Sequence, residues 1–216
     1  MDVSAMFTVI NNHGFDDTDT PEKMEVINDA VWDIESREPW PFLEKTIALN
    51  TSGASSVPTN MPADFKRVLW LYDIANGVTL WPERLSTVRD RFGNVMTTVA
   101  SPQMYYFIGN QLNLYPIPPA STGGYQLDYF AQQTVLNSAS LEANILIPAR
   151  HHRTIVLGAL WRLYNLEDDP EQGQLFQTDY ENRIQQMKQD LFRRQEQRAD
   201  NIFVIDEDDE YPAIYV

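Results

Sequence analysis

The residues best suited to chemistry are two adjacent histidines between two arginines, in the run from Arg150 to Arg153. Imidazole nitrogens bind metal ions and transfer protons near neutral pH. Neighbouring residues on a helix point about 100° apart, so His151 and His152 cannot readily share one metal ion. We therefore interpret this run as the start of a helix, with one histidine packed and the other solvated.

Carboxylates that are adjacent in the sequence could supply a general acid and a general base. Such pairs are Asp16/Asp17, Asp168/Asp169 and Asp208/Asp209. All of them fall in predicted turns or in the C-terminal tail, whereas acid–base catalysis needs a shaped cleft. The chain has no cysteine, which excludes disulfides and thiolate zinc sites. Because it also lacks a phosphate-binding glycine loop and a nucleophile elbow, we expect neither an enzyme nor a cofactor.

The length and charge of the chain limit the kinds of protein to which it can belong. With 216 residues, 43% of them hydrophobic, it can bury a core as one domain. Its net charge of −15 disfavours broad binding of nucleic acid, because that affinity comes from clustered Lys and Arg. No apolar run approaches the roughly 20 residues that cross a bilayer. The acidic start Met1-Asp2-Val3 is unlike a signal peptide, so we expect a protein made in the cytoplasm and no membrane partner.

Two helices near the C-terminus form the clearest structural pattern. Residues 148–166 place apolar side chains around most of a helix, which predicts that it is buried. Gly158 within it indicates a close approach, since a helical glycine costs about 1 kcal/mol relative to alanine. Asp169 and Pro170 predict the start of a second helix, which runs to Ala199. The apolar stripe of this second helix is Phe176, Tyr180, Ile184, Met187 and Leu191.

The middle of the chain has the alternating pattern of β-strands. Strands are predicted over Thr46–Thr51, Lys66–Ile74 and Val78–Trp81, with Asn76-Gly77 as a hairpin turn. After a short helix over residues 82–92, three more strands are expected to form a meander. These strands are Tyr105–Ile108, Leu112–Tyr115 and Tyr125–Ala131.

Together these elements predict an α+β fold that is mainly α. Helices from both ends of the chain would form a bundle platform, with a small antiparallel sheet inserted between them. The predicted single domain covers residues 1–200, with the platform at 1–43 and 148–200 and the β subdomain at 44–147. Residues 201–216 are predicted to be an extended C-terminal arm.

The C-terminal arm carries two apolar clusters around the acidic run from Asp206 to Glu210. Disordered tails are usually poor in aromatic and β-branched residues, so we predict that this arm becomes ordered on a neighbouring subunit or another partner. Its predicted partner-binding residues are Ile202, Phe203, Val204, Ile205, Tyr211, Pro212, Ile214, Tyr215 and Val216.

The distal turns of the second helix are another candidate contact. Arg193, Arg194 and Arg198 could bind a partner there. Alternatively, this is a solvated helix end held by charge pairs at helical spacing. The strand aromatics Trp70, Trp81 and Tyr105 also leave two readings open. They could stack on sugars if exposed, but alternating aromatics in strands more often belong to the core.

The order of several segments is more informative than any one motif. The segments are Asn28-Asp29-Ala30 with Trp32, Glu38 to Leu43, Met61 to Val68, Pro102 to Ile108, Asn113 to Pro118, Leu127 to Phe130, and Ile147 to His152 leading into Gly158 to Tyr164. In this succession the chain resembles the head-to-tail connector adaptor, or head-completion, proteins of tailed bacteriophages. The resemblance covers residues 20 to 195 approximately.

The resemblance implies a structural virion protein without catalytic residues. Such proteins form a ring, commonly twelve-fold, below the portal and join the DNA-filled capsid to the tail. The implied partners are the portal protein, tail or nozzle and stopper proteins, and neighbouring copies of the chain. DNA would pass as cargo without sequence recognition, and the protein would lie in the virion neck after assembly in the host cytoplasm. The alternatives are a carbohydrate- or receptor-binding module of a phage particle, and a hydrolase that uses the scattered carboxylates.

Overall fold

The computed structural model describes residues 1–49, 59–93, 98–119 and 124–202. It confirms an α+β fold that is mainly α. The α-helices are α1 Val3–Ile10, α2 Thr20–Arg37, α3 Leu85–Phe92, α4 His152–Leu166 and α5 Pro170–Ile202. The strands are β1 Glu44–Leu49, β2 Thr59–Asn60, β3 Phe65–Asp73, β4 Val78–Thr79, β5 Trp81–Pro82, β6 Met104–Ile108, β7 Gln111–Tyr115 and β8 Tyr125–Ala131.

The chain divides into two compact units, which we call the helical unit and the β unit. The helical unit consists of Met1–Pro41 and the chain from Leu136 onward, and it contains α1, α2, α4 and α5. The β unit is Phe42–Val135, which holds every described strand and α3. Each unit buries its own apolar side chains, as expected for elements with one hydrophobic face.

The helical hairpin of α4 and α5 confirms the sequence prediction. The Asp169 carboxylate accepts a hydrogen bond from the Gln172 backbone N–H at 3.2 Å, which caps the start of α5. Tyr180, Ile184 and Met187 from the predicted stripe are fully buried. With 33 residues, α5 extends roughly 50 Å, against about 22 Å for the 15 residues of α4. The helix continues to Ile202 rather than ending at Ala199.

The β unit contains two four-stranded sheets, and the predicted meander is wrong. One sheet has the order β1-β8-β3-β4 and the other β2-β7-β6-β5. Strands β6 and β7 pair as predicted, but β7 already has β2 on its other edge. Strand β8 therefore pairs elsewhere, between β1 and β3, and both pairings are antiparallel. The predicted hairpin of β3 and β4 is confirmed, with Gly77 at φ 66° in its turn.

A bulge between Val68 and Trp70 puts Trp70 on the opposite face of β3 from Val68. The register with β8 shifts between Phe65 and Arg67 and again between Val68 and Trp70. An extra residue moves the side chains that follow it to the opposite face of the sheet, and a second extra residue moves them back. Phe65, Val68 and Leu71 therefore share one face, because they pair with Ala131, Tyr129 and Leu127, and Trp70 lies on the other face. As a result Leu71 is fully buried, whereas Trp70 is 59% exposed.

Helix α3 is shorter than predicted and buries only part of its expected apolar face. It begins at Leu85 rather than Pro82, and Gly93 at φ 82° follows its last residue. Val88 is buried, but Phe92 is exposed although it contacts the Tyr115 ring. Phe92 is the last residue of the helix.

A partly buried polar network holds β1 and β8 to the loop before β3. The Asp64 carboxylate accepts hydrogen bonds from Lys45 Nζ at 2.6 Å and from the Tyr129 hydroxyl at 3.1 Å. Burial opposes ionisation of Asp64, but these hydrogen bonds outweigh it and lower its pKa. Burial and the Asp64 hydrogen bond raise the pKa of Tyr129 to about 12.

We expect Asp64→Asn to destabilise the β unit by about 1 kcal/mol at pH 7, because it weakens a charge-assisted hydrogen bond. A carboxylate whose pKa is lowered on folding stabilises the protein above its unfolded pKa of about 3.9. That contribution is lost as the pH falls through the lower folded pKa. Thermal unfolding between pH 2 and pH 7 therefore should show the difference from wild type shrinking below about pH 4. The exposed Asp90→Asn serves as the control, and a difference independent of pH would contradict this assignment.

Candidate partner-binding site

The surface of the hairpin is held in place by a polar network between α2, α4 and α5. Asp33 accepts hydrogen bonds from Arg37 Nε at 3.1 Å and from the buried Tyr180 hydroxyl at 2.5 Å. Arg37 also forms a bidentate pair with Glu181, at 2.6 and 2.9 Å. Burial and the hydrogen bond to Asp33 raise the pKa of Tyr180 well above its usual value, so the phenol stays neutral. These contacts fix the rotation of α5 about its own axis and so determine which residues face outward.

Gly158 lets the three helices approach closely, as the sequence predicted. A Cβ atom at this position would lie 2.9 Å from the Tyr180 ring and 3.0 Å from Ala30 Cβ. Both distances are shorter than normal van der Waals contact. The side chain of Arg162 folds over the same position, and its guanidinium donates a hydrogen bond to the Gly158 carbonyl at 2.8 Å.

A cleft of about 490 Å³ lies between the start of α4 and the middle of α5. We call it the arginine cleft, because it is lined by Arg150, Arg153, Arg183 and Arg193. The carboxylate of Asp190 pairs with Arg150 at 3.1 Å and with His151 Nε2 at 3.4 Å. Arg153, Arg183 and Arg193 are exposed and form no ion pair with the residues that the structure describes. The cleft therefore carries uncompensated positive charge on a chain whose net charge is −15.

The sequence pattern did not predict this cleft. Arg150 and Arg153 were interpreted as part of a helix start, and Arg193 as part of a helix end. The side of the cleft that α5 forms could have been predicted from the sequence. Residues 183, 186, 190 and 193 recur every three or four positions and therefore share one helix face. The pairing of that face with the start of α4 is tertiary, and no local pattern predicts it.

The two histidines point to different surroundings, as expected from their helical spacing. His152 is buried, and its Nε2 lies 2.7 Å from the Ile147 carbonyl. The expected solvation of His151 is wrong, because its side chain is only 12% exposed and contacts Asp190 in the arginine cleft. Within the described ranges, no group of three or more His, Asp or Glu side chains is arranged to hold a metal ion.

The strand aromatics divide between core and surface. Tyr105 is buried, whereas Trp81 is 65% exposed and Trp70 is exposed because of the bulge after Val68. The interpretation of all three as core residues is therefore wrong for the two tryptophans. Tyr72 and Val78, which lie on neighbouring strands, are also exposed. The β unit thus presents apolar surface that its own core does not cover.

The comparison with protein families gives a match over nearly the whole chain. Residues 1–202 match the family described as SU10 adaptor protein. The chain belongs to this phage head-tail adaptor family. No curated protein matches the chain. Membership makes the chain a bacteriophage structural protein and a component of the virion, and it implies contacts with portal or tail components.

Three further observations concern enzymatic activity and membrane-spanning helices. Structural adaptor families are typically non-enzymatic. The carboxylate pairs Asp16/Asp17 and Asp168/Asp169 lie in turns at the ends of helices. Across the described ranges, no helix has both the length and the apolar character needed to cross a membrane.

The predicted contact residues of the adaptor lie partly outside the described part of the chain. Ile202 is the last residue of α5, and Phe203, Val204, Ile205, Tyr211, Pro212, Ile214, Tyr215 and Val216 lie beyond the described residues and beyond the family match. The side chains of Arg194 and Arg198 are also outside it. Arg193 lies on the rim of the arginine cleft.

Before Arg193, the distal part of α5 packs within the helical unit of the adaptor. Phe192 stacks on Trp40, with ring centroids 5.8 Å apart, and Lys188 forms an ion pair with Glu38. These contacts hold α5 against the end of α2. Up to Phe192, therefore, α5 packs against the helical unit and is not a solvated helix end.

Proposed function

We propose that this protein is a head-to-tail adaptor that forms a ring below the portal and links the DNA-filled capsid to the tail. Its family membership over residues 1–202 carries the proposal. The partners are the portal protein, tail or nozzle and stopper proteins, and neighbouring copies in a twelve-fold ring. The protein acts in the virion neck after assembly in the host cytoplasm.

The negative net charge of the chain supports a role in which DNA passes the protein without binding to it. A chain of net charge −15 repels phosphate, and an acidic channel wall lets DNA slide without adhering. Four arginines, Arg150, Arg153, Arg183 and Arg193, are gathered in one cleft of the helical unit. We therefore propose that DNA passes as cargo and that no part of the adaptor reads its sequence.

The distal part of α5, which includes Ile202, and the rest of the C-terminal arm, residues 203–216, supply the contacts in this proposal. A single adaptor domain would precede the arm, which would act as a tether. The arm has two apolar clusters, and strand addition to a sheet edge or insertion into a groove would bury them. Burial of three large side chains would contribute roughly 5 to 9 kcal/mol before the cost of ordering.

Co-sedimentation with portal rings tests the proposal. Portal rings incubated with an excess of the adaptor should retain it in a fixed ratio through repeated washing. A major capsid protein assembled without portal serves as the control surface and should retain none. Portal rings that sediment without the adaptor would contradict the proposed role.

We expect the purified protein to be a monomer or a labile oligomer that assembles on a pre-formed ring. Acidic subunits repel one another, and this repulsion decreases as salt screens it. Light scattering at about 0.05 M and 0.5 M salt should therefore give different average masses. A stable ring that forms without a partner and does not respond to salt would contradict this expectation.

The exposed tryptophans favour a second candidate function, a carbohydrate- or receptor-binding module of the phage particle. Trp70 and Trp81 present faces on which a sugar ring could stack. Under this alternative, Trp70→Ala with Trp81→Ala abolishes binding to host-cell glycans and leaves portal binding intact. Under the adaptor proposal, the wild-type protein shows no glycan binding for the substitutions to remove. An array of host surface glycans separates the two functions.

A further inference from the structure

The arginine cleft has the charge, shape and support of a binding site. Arg153, Arg183 and Arg193 lack an acidic partner among the described residues, and they surround a cleft of about 490 Å³. The polar network of Asp33, Arg37 and Tyr180 fixes the helix that carries two of them. Guanidinium groups bind carboxylates and phosphates through paired hydrogen bonds. The cleft therefore fits an anionic partner with several charges in a row.

The chain itself contains a partner of this chemistry. Its longest acidic run is Asp206 to Glu210, which has five consecutive carboxylates. A phosphate backbone offers the same charge, but a surface with net charge −15 repels an extended polyanion. A short acidic segment near the end of the chain brings only five charges into the cleft, and the rest of the acidic subunit that carries it stays outside the cleft.

Chain length argues against the acidic run occupying the cleft of its own subunit. Arg183 lies 19 residues before the end of α5 at Ile202, or about 28 Å along the helix axis. If the chain uses about four residues to reverse direction, the remaining residues up to Glu210 reach back only about 14 Å. That distance brings the end of the run level with Arg193 and leaves Arg153 and Arg183 without a carboxylate.

We propose that the arginine cleft binds the acidic segment Asp206–Glu210 of a second copy of this chain. The cleft and the segment occupy different parts of the chain, so the contact is head-to-tail, and its repetition around an axis closes a ring. This inference rests on the proposed function, to which it adds the contact between neighbouring subunits. The apolar clusters on both sides of the run remain free to contact the portal.

Cysteine cross-linking of the full-length protein tests this contact, because the chain has no natural cysteine. One protein carries Gln189→Cys on the cleft wall, and a second carries Asp209→Cys. After mixing and mild oxidation, we expect a disulfide-linked heterodimer between the two proteins. The matched control is Gln174→Cys, an exposed position on the same helix outside the cleft lining. The cleft pair should give a yield at least about tenfold higher than the control pair.

Substitutions in the cleft then test the role of charge. Arg183→Glu with Arg193→Glu, added to the Gln189→Cys protein, should reduce the heterodimer yield about tenfold or more. Lys66→Glu with Arg84→Glu, two exposed cations of the β unit, changes the net charge equally and should leave the yield unchanged. Circular dichroism verifies that each variant is folded.

Other outcomes overturn the proposal. Equal yields for Gln189→Cys and Gln174→Cys would show that the segment does not select the cleft. A chain with both Gln189→Cys and Asp209→Cys that closes on itself in dilute solution, without heterodimers in the mixing experiment, would place the contact within one subunit. If cleft charge reversal removes retention on duplex DNA but leaves the heterodimer yield unchanged, the cleft binds phosphate instead.

The same variants distinguish this inference from the proposed function. Wild-type portal binding with an unchanged heterodimer yield after charge reversal would refute the cleft contact and leave the adaptor role intact. Specific heterodimers in a protein that does not bind portal rings would support the contact and refute the role below the portal.

Discussion

Gly158→Leu is expected to destabilise the helical unit by about 3 kcal/mol or more, through overpacking where three helices meet. Even the Cβ atom would lie 2.9 Å from the Tyr180 ring and 3.0 Å from Ala30 Cβ. The remaining leucine atoms would separate α4 from α5 or α2, and Tyr180 cannot move away without breaking its hydrogen bond to Asp33. For a protein of this length, the melting temperature should fall by roughly 6 to 12 °C.

Two further substitutions test whether the loss of stability is specific to a large side chain at Gly158. Gly158→Ala places only the Cβ atom in the contact and should cost less than leucine. Gln185→Leu introduces the same side chain at an exposed position of α5 and should change the melting temperature little. A melting temperature of Gly158→Leu equal to that of wild type would show that the close packing of α2, α4 and α5 is incorrect.

Deletion of residues 203–216 is expected to abolish stable attachment to the portal while leaving the fold intact. The family match and the described helix both end at Ile202, so the deletion removes none of the core residues. A loss of about 3 kcal/mol of net binding free energy, after the cost of ordering, would lower the affinity by about 100-fold. Co-sedimentation with portal rings measures the affinity, and thermal unfolding verifies the fold.

A Gly/Ser sequence of equal length, in place of residues 203–216, separates the chemistry of the arm from its bulk. It should fail to restore attachment. Asn and Gln substitutions across Asp206–Glu210 should weaken contacts between subunits while keeping the apolar clusters. Attachment of the truncated protein equal to that of wild type would mean that the arm is a passive tail.

The helical hairpin was predictable because its signals are local. Apolar spacing marked both helices, and Asp169 with Pro170 marked the start of α5. The close approach at Gly158 was predictable for a related reason, since a glycine inside a helix needs a compensating contact.

The β unit was harder to predict because strand pairing depends on distant residues. The position of β8 between β1 and β3 depends on the occupied edges of β7, and the exposure of Trp70 depends on a bulge in β3. The arginine cleft escaped prediction for the same reason. Arg150 and Arg183 are far apart in sequence, and only the packing of α4 on α5 brings them to one cleft.

Electron microscopy of the purified protein mixed with its portal tests the central proposal most directly. We expect an additional ring of density, coaxial with the portal and on its tail-facing side, with the symmetry of the portal. Images of the portal alone and of the protein alone provide the controls. Portal rings without added density, at protein concentrations well above saturation, or density bound instead at a tail fibre would contradict the adaptor role.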